Sequence, residues 1–123
     1  MDYKSLIWVF LGGGTGCCLR YLISFYAKTF NSLFPLGTLF ANLLGCFLIG
    51  AFVGYLSRFN IAKEEIYLLF VVGFCGGLTT FSSFALDIVN LIKGGDFFYP
   101  LLYFVANILF GILLLLLGLS LTR

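Results

Sequence analysis

Four long apolar stretches, at about residues 5–26, 36–57, 65–91 and 98–121, are separated by short polar connections and account for nearly the whole chain. Each is long enough, as a helix, to cross a hydrocarbon core of about 30 Å. The pattern predicts an all-α integral membrane protein in which residues 1–123 form one domain of four transmembrane helices. The first stretch is too long for a signal-peptide core, and its Gly12-Gly-Gly-Thr-Gly16 run lies inside it rather than at a cleavage site, so it is expected to be retained.

Composition strengthens this reading. With 62% hydrophobic and 10% charged residues and a mean hydropathy of +1.13, a chain of 123 residues has more apolar surface than a soluble domain of its size can bury. Its net charge of +2, from seven scattered Lys and Arg, gives no nucleic-acid footprint. Cys17, Cys18, Cys46 and Cys75 lie within the apolar stretches without CxxC spacing, and the chain has no histidine, so free structural thiols are expected.

The third stretch carries the chemistry. Its 27 residues would make a helix roughly 40 Å long with Leu78 at its midpoint, inside the run Gly73-Phe-Cys-Gly-Gly-Leu-Thr-Thr-Phe-Ser-Ser-Phe84. Backbone groups freed at that depth cannot face lipid, because each unsatisfied one costs several kcal/mol there. We expect the helix to stop near Gly76-Gly77 and restart near Thr80. The first half would then end in bare carbonyls that suit a cation, and the second would begin in bare N–H groups that attract an anion. Phe81 and Phe84 are three apart and share a helix face, where ring edges can meet an anion without the hold of a full charge. Ser82, Ser83, Thr79 and Thr80 add hydroxyl donors.

The other spans contribute fewer candidates. Gly12 and Gly16, and later Gly50 and Gly54, form GxxxG pairs suited to close helix approach. Arg20, placed about a turn and a half from its helix end, is either a snorkelling anchor or a positive group drawing anions into a vestibule. Thr38 and Asn42 share one face; Asn42 is either an interhelical clamp or a pore-lining donor. Tyr103, Asn107 and Gly111 recur on one face of the last span, which either lines something or packs. Asp87 is read as a membrane-end partner of Arg20 or Lys93. Asn31-Ser32 and Pro35 mark one turn, and Lys93-Gly-Gly-Asp96 another.

Lys4, Arg58, Lys63 and Arg123 fall on one side of a four-span topology, against Lys28 and Lys93, with Arg20 near that second side. The asymmetry is small and hints at insertion in both orientations.

The signatures Gly12-Gly13…Gly16…Arg20-Tyr21, then Gly37-Thr38-Leu39…Asn42…Gly45, then Gly73…Gly76-Gly77-Leu78-Thr79-Thr80-Phe81-Ser82-Ser83-Phe84 resemble, in this order, the CrcB/Fluc fluoride channels. The resemblance covers essentially the whole chain. It implies an antiparallel, dual-topology homodimer in the inner membrane with two narrow fluoride pores and a central structural sodium ion. By that resemblance Phe81 and Phe84 line the fluoride path, with Asn42 as a pore donor and Ser83 and Thr38 as hydroxyl donors nearby. Arg20 would sit in the aqueous vestibule, and the carbonyls of Gly76 and Thr79 would hold sodium at the dimer axis. A polar track would begin at Tyr103, with Asn107 standing where better-known members carry serine. The expected function is passive, selective fluoride export that lowers fluoride toxicity, without enzymatic activity or an organic cofactor. The competing readings are a small proton-coupled cation exporter, for which Asp87 is the one candidate carboxylate, and a non-transporting assembly subunit held by the GxxxG pairs.

Overall fold

Four helices long and apolar enough to cross a membrane run over Tyr3–Phe30, Leu36–Arg58, Glu64–Lys93 and Phe98–Thr122 in the computed structural model, which describes residues 3–30, 34–61 and 63–122. No strand occurs among the described residues. The Asn31-Ser32 turn and Arg123 lie outside them. Each helix contains the apolar stretch read from the sequence and extends slightly beyond it. The extension matters most in the first helix, which continues to Phe30. Arg20 is therefore ten residues, or about 15 Å, from the helix end, deeper than its expected position.

The threonines of this helix satisfy their hydroxyls locally. The hydroxyl of Thr15 donates to the carbonyls of Leu11 and Gly12, both at 2.9 Å, and that of Thr29 donates to Tyr26 at 2.6 Å. Such back-bonding lets a hydroxyl sit in hydrocarbon without an orphaned donor.

Glycines set the helix pairing. A methyl group at Gly12 would overlap the Leu69 carbonyl, and one at Gly16 the Phe74 carbonyl, so this pair brings the first helix backbone to backbone against the third. Gly50 meets the Leu115 carbonyl, and Gly118 meets that of Phe47 from the other side, locking the second helix to the fourth. Both GxxxG pairs thus serve contacts within one subunit.

The third helix is irregular in two ways. It begins as an α-turn at Glu64–Tyr67, widens to a π-helix over Leu68–Cys75, and closes with a final α-turn at Gly76–Leu78. Thr79 and Thr80 are then extended, with ψ of 155° and 122°, before an α-helix resumes over Phe81–Lys93. The first half ends one residue past Gly77, at Leu78, and the second restarts from Thr80 as expected. Glycine permits a break without forcing one; both residues here keep helical geometry, and Gly77 packs against the backbone of Gly13. A second π-helical turn, Ala106–Phe110, interrupts the fourth helix between Phe98–Val105 and Gly111–Thr122. Neither π-segment was legible in the apolar pattern. The Gly94-Gly95 turn forms as expected, with Gly95 at φ +84° and the Asp96 carboxylate accepting the Phe98 N–H at 2.8 Å.

Candidate functional site

At the break, the second helix replaces what the third lacks. In a continuous helix the Thr80 N–H would donate to the Gly76 carbonyl; here it donates to Asn42 Oδ1 at 2.8 Å. Asn42 Nδ2 in turn donates to the Thr80 carbonyl at 3.3 Å and to Asn107 Oδ1 at 3.2 Å. One amide thereby clamps both backbone groups of Thr80 and ties the second, third and fourth helices together. Of the two roles open to Asn42 from its chemistry, the clamp is the one this geometry displays.

Thr80 also starts the second half-helix. Its hydroxyl oxygen accepts the Ser83 N–H at 3.2 Å, and it donates to Ser83 Oγ, also at 3.2 Å. This is an N-cap, which satisfies one of the donors bared by the break. Thr79 behaves differently: its hydroxyl and its N–H both go to the Cys75 carbonyl, at 2.9 and 3.0 Å. The N–H groups that an unbroken helix would send to Gly76 and Thr79 are thus committed to Asn42 and to Thr80 Oγ1. That releases two carbonyl oxygens, a hard-oxygen set of the kind that suits a small cation. Gly76 is exposed, with nothing within 4 Å of a Cβ placed there.

The row of polar groups continues along the fourth helix. Asn107 is buried and donates from Nδ2 to the Tyr103 carbonyl at 3.0 Å. Tyr103 is fully buried, and its hydroxyl donates to Asp87 Oδ2 at 3.0 Å. Asp87 therefore pairs with Tyr103, not with Arg20 or Lys93 as its position suggested. Packing of the fourth helix against the second half of the third brings the Tyr103 hydroxyl to this carboxylate. Thr38 and Asp87 line a cavity of about 300 Å³ with Ser24, Lys28 and Asn90, between the ends of the first, second and third helices. A chain of hydrogen bonds and side-chain contacts therefore runs from the mid-membrane break to a polar cavity.

Aromatic rings flank it. Phe84 is buried, with its ring centroid 5.5 Å from that of Tyr103, and Phe34 meets Tyr103 edge-on at 5.6 Å and 87°. Phe81 lies 5.8 Å from Phe84 but is 79% exposed. The shared face expected from their spacing is real, yet one ring belongs to the interior and the other to the outer surface. Gly111, the third member of the Tyr103 face, is buried beside Cys46.

Arg20 donates from Nε to the Gly77 carbonyl at 3.0 Å and from Nη2 to Cys17 Sγ at 3.5 Å. The structure thus gathers Asn42, Thr80, Ser83, Phe84, Asn107, Tyr103 and Thr38 into one neighbourhood and sets Arg20, Gly76 and Phe81 around the break. Sequence reasoning missed the N-cap and the Asp87–Tyr103 pair. The first was legible as Thr-x-x-Ser ahead of a helix; the second had no local signal.

Comparison with known proteins identifies the family of the chain. The family model described as CrcB-like protein, Camphor Resistance (CrcB), matches residues 7–119. A fluoride-specific ion channel FluC of Chlorobium phaeobacteroides (strain BS1) is 42% identical over 122 residues, covering 98% of this chain and 94% of that protein. The proteins of the same name from Phocaeicola vulgatus and Serratia proteamaculans are 44% and 45% identical, over 94% and 85% of this chain and 95% and 83% of theirs. With four span-forming helices and this near-full-length likeness, the chain is a multi-pass membrane protein that belongs to the CrcB family.

Proposed function

We propose that the protein is a passive, fluoride-selective channel of the cytoplasmic (inner) membrane that lets fluoride leave the cell and so lowers its toxicity. The observation that carries this reading is the row from Thr80 through Asn42, Asn107 and Tyr103 to the polar cavity, with Phe84 packed against Tyr103. It supplies amide and hydroxyl donors and ring edges, but few full charges, at a depth where lipid offers nothing to an anion. The name shared by the near-full-length relatives supports fluoride as the ion. Asn42 Nδ2, which donates to Asn107 Oδ1 at 3.2 Å and to the Thr80 carbonyl at 3.3 Å, is the amide donor that would turn to a passing anion. Ser83 and Thr38 serve as hydroxyl donors along the same path. Membrane potential, negative inside, drives the anion outward with about 2.3 kcal/mol per 100 mV, so no pump or enzymatic step is required.

The working unit in this reading is an antiparallel homodimer with two pores. Exposed Phe81 and the open surface at Gly76 support it, because each leaves area beside the break that a second copy could cover. The carbonyls of Gly76 and Thr79 would hold a structural sodium ion on that face, neutralising the negative end of the first half-helix.

The test is efflux from liposomes carrying purified protein and loaded with fluoride or chloride, with valinomycin supplying compensating potassium flow. Rapid fluoride loss with chloride retained is expected. Absence of fluoride flux from folded protein would sink the channel and turn attention to proton-coupled cation export through Asp87 or to an assembly role.

A further inference from the structure

Among the described residues Arg20 is the one cation placed well inside a span, yet it is not left to reach for water. Ten residues from the end of its helix, its side chain turns to the third helix, where Nε donates to the Gly77 carbonyl at 3.0 Å. Gly77 belongs to the last turn before the break, Gly76–Leu78. The carbonyls of such a turn have lost their helical donors and carry the negative end of the half-helix dipole. A guanidinium is therefore stabilised there, and the carbonyl gains the donor that the break removed. The contact Nη2 makes to Cys17 Sγ, one turn back, fixes the side chain from its own helix.

The carbonyls of the turn that ends at the break have different fates, and that of Thr80 beyond it accepts from Asn42 Nδ2. Cys75 is taken by Thr79, and Gly77 by Arg20; Gly76 has lost the Thr80 N–H to Asn42. We propose that Arg20 is a positioning residue: by capping Gly77 it fixes the end of the first half-helix and withholds that carbonyl, so that the Gly76 and Thr79 oxygens are the ones offered to a cation. The part concerning a cation rests on the sodium reading above. The requirement is for a directed N–H at a set height, not for positive charge alone. Lysine, a point charge on a flexible stem, does not reproduce it.

Two measurements decide the matter. In the first, thermal unfolding of the purified protein is titrated with sodium against N-methyl-D-glucamine, for the wild type, Arg20→Lys and Arg20→Gln. The half-saturating sodium concentration is expected to rise on the order of tenfold in both variants, as for loss of one charge-assisted hydrogen bond. A rise confined to Arg20→Gln would overturn the proposal, since charge would then suffice, and so would no rise in either. The second needs no change at Arg20: hydrogen exchange of its Nε–H in arginine-labelled protein, with signals assigned through Arg58→Lys and Arg123→Lys. Strong protection is expected, and exchange at the rate of free arginine overturns the cap. If the wild type shows no sodium dependence, the cation reading falls, while Nε–H protection still decides whether Arg20 caps the break.

Discussion

Asn42 Oδ1 accepts the backbone N–H of Thr80 at 2.8 Å, so a side chain of the second helix completes the hydrogen bonding of the third. A break in hydrocarbon is tolerable only with such a substitute, because neither water nor lipid supplies one. The amide that permits the break is also the first donor of the polar row.

Asn42→Ala should destabilise the protein by about 1–3 kcal/mol, since it strands the Thr80 N–H. Asn107→Ala should cost less, and the double-mutant cycle should return a coupling of about 0.6–1.7 kcal/mol, the range of interhelical hydrogen bonds in membranes. Unfolding in mixed micelles gives all four values. Strict additivity would mean that the 3.2 Å contact between these amides is not an energetic bond.

Phe81→Ile and Phe84→Ile should both abolish fluoride efflux, but only the second should lower the stability of the subunit, because Phe84 is 5% exposed and Phe81 79%. Replacing a buried, well-packed ring should cost about 1–3 kcal/mol. Near-normal flux in both variants would remove them from the ion path.

Tyr103→Phe keeps the ring stacked against Phe84 and removes the donor to Asp87. Efflux should fall well below wild type, with a loss of stability of about 1 kcal/mol. Asp87→Asn preserves an acceptor for Tyr103 and should be much milder in stability. Wild-type flux in Tyr103→Phe would make the row a strut between helices and place the ion elsewhere.

Glycine substitutions should separate inner from outer faces. Gly118→Ala drives a methyl group into the Phe47 carbonyl and should part the second and fourth helices, with loss of folded protein. Gly14→Ala meets nothing within 4 Å and should be neutral or stabilising in the isolated subunit, by up to about 1 kcal/mol of helix propensity. Equal effects at the two sites, read by size-exclusion yield and thermal unfolding, would contradict this packing.

Reporter fusions at the C-terminus should give signal on both sides of the membrane if the subunits insert in opposite orientations. Signal on one side alone would remove the antiparallel dimer.

Hydrophobic patterning by itself determined the number of spans and their approximate ends, because a membrane imposes a minimum apolar length that any reading of the chain can measure. It also marked the third span as interrupted, since small and hydroxyl residues at mid-depth serve no purpose against lipid. Tertiary structure decided the rest. The first half-helix runs one residue past the glycines, to Leu78, and Asn42, 38 residues away, supplies the hydrogen bond missing at Thr80. Asp87 pairs with Tyr103 and Arg20 with Gly77 because helices packed side by side bring together groups remote in sequence. Spacing along one helix fixes which residues share a face; which face meets which neighbour is settled by backbone contacts such as Gly12 on Leu69 and Gly118 on Phe47, and those exist only once the helices have docked.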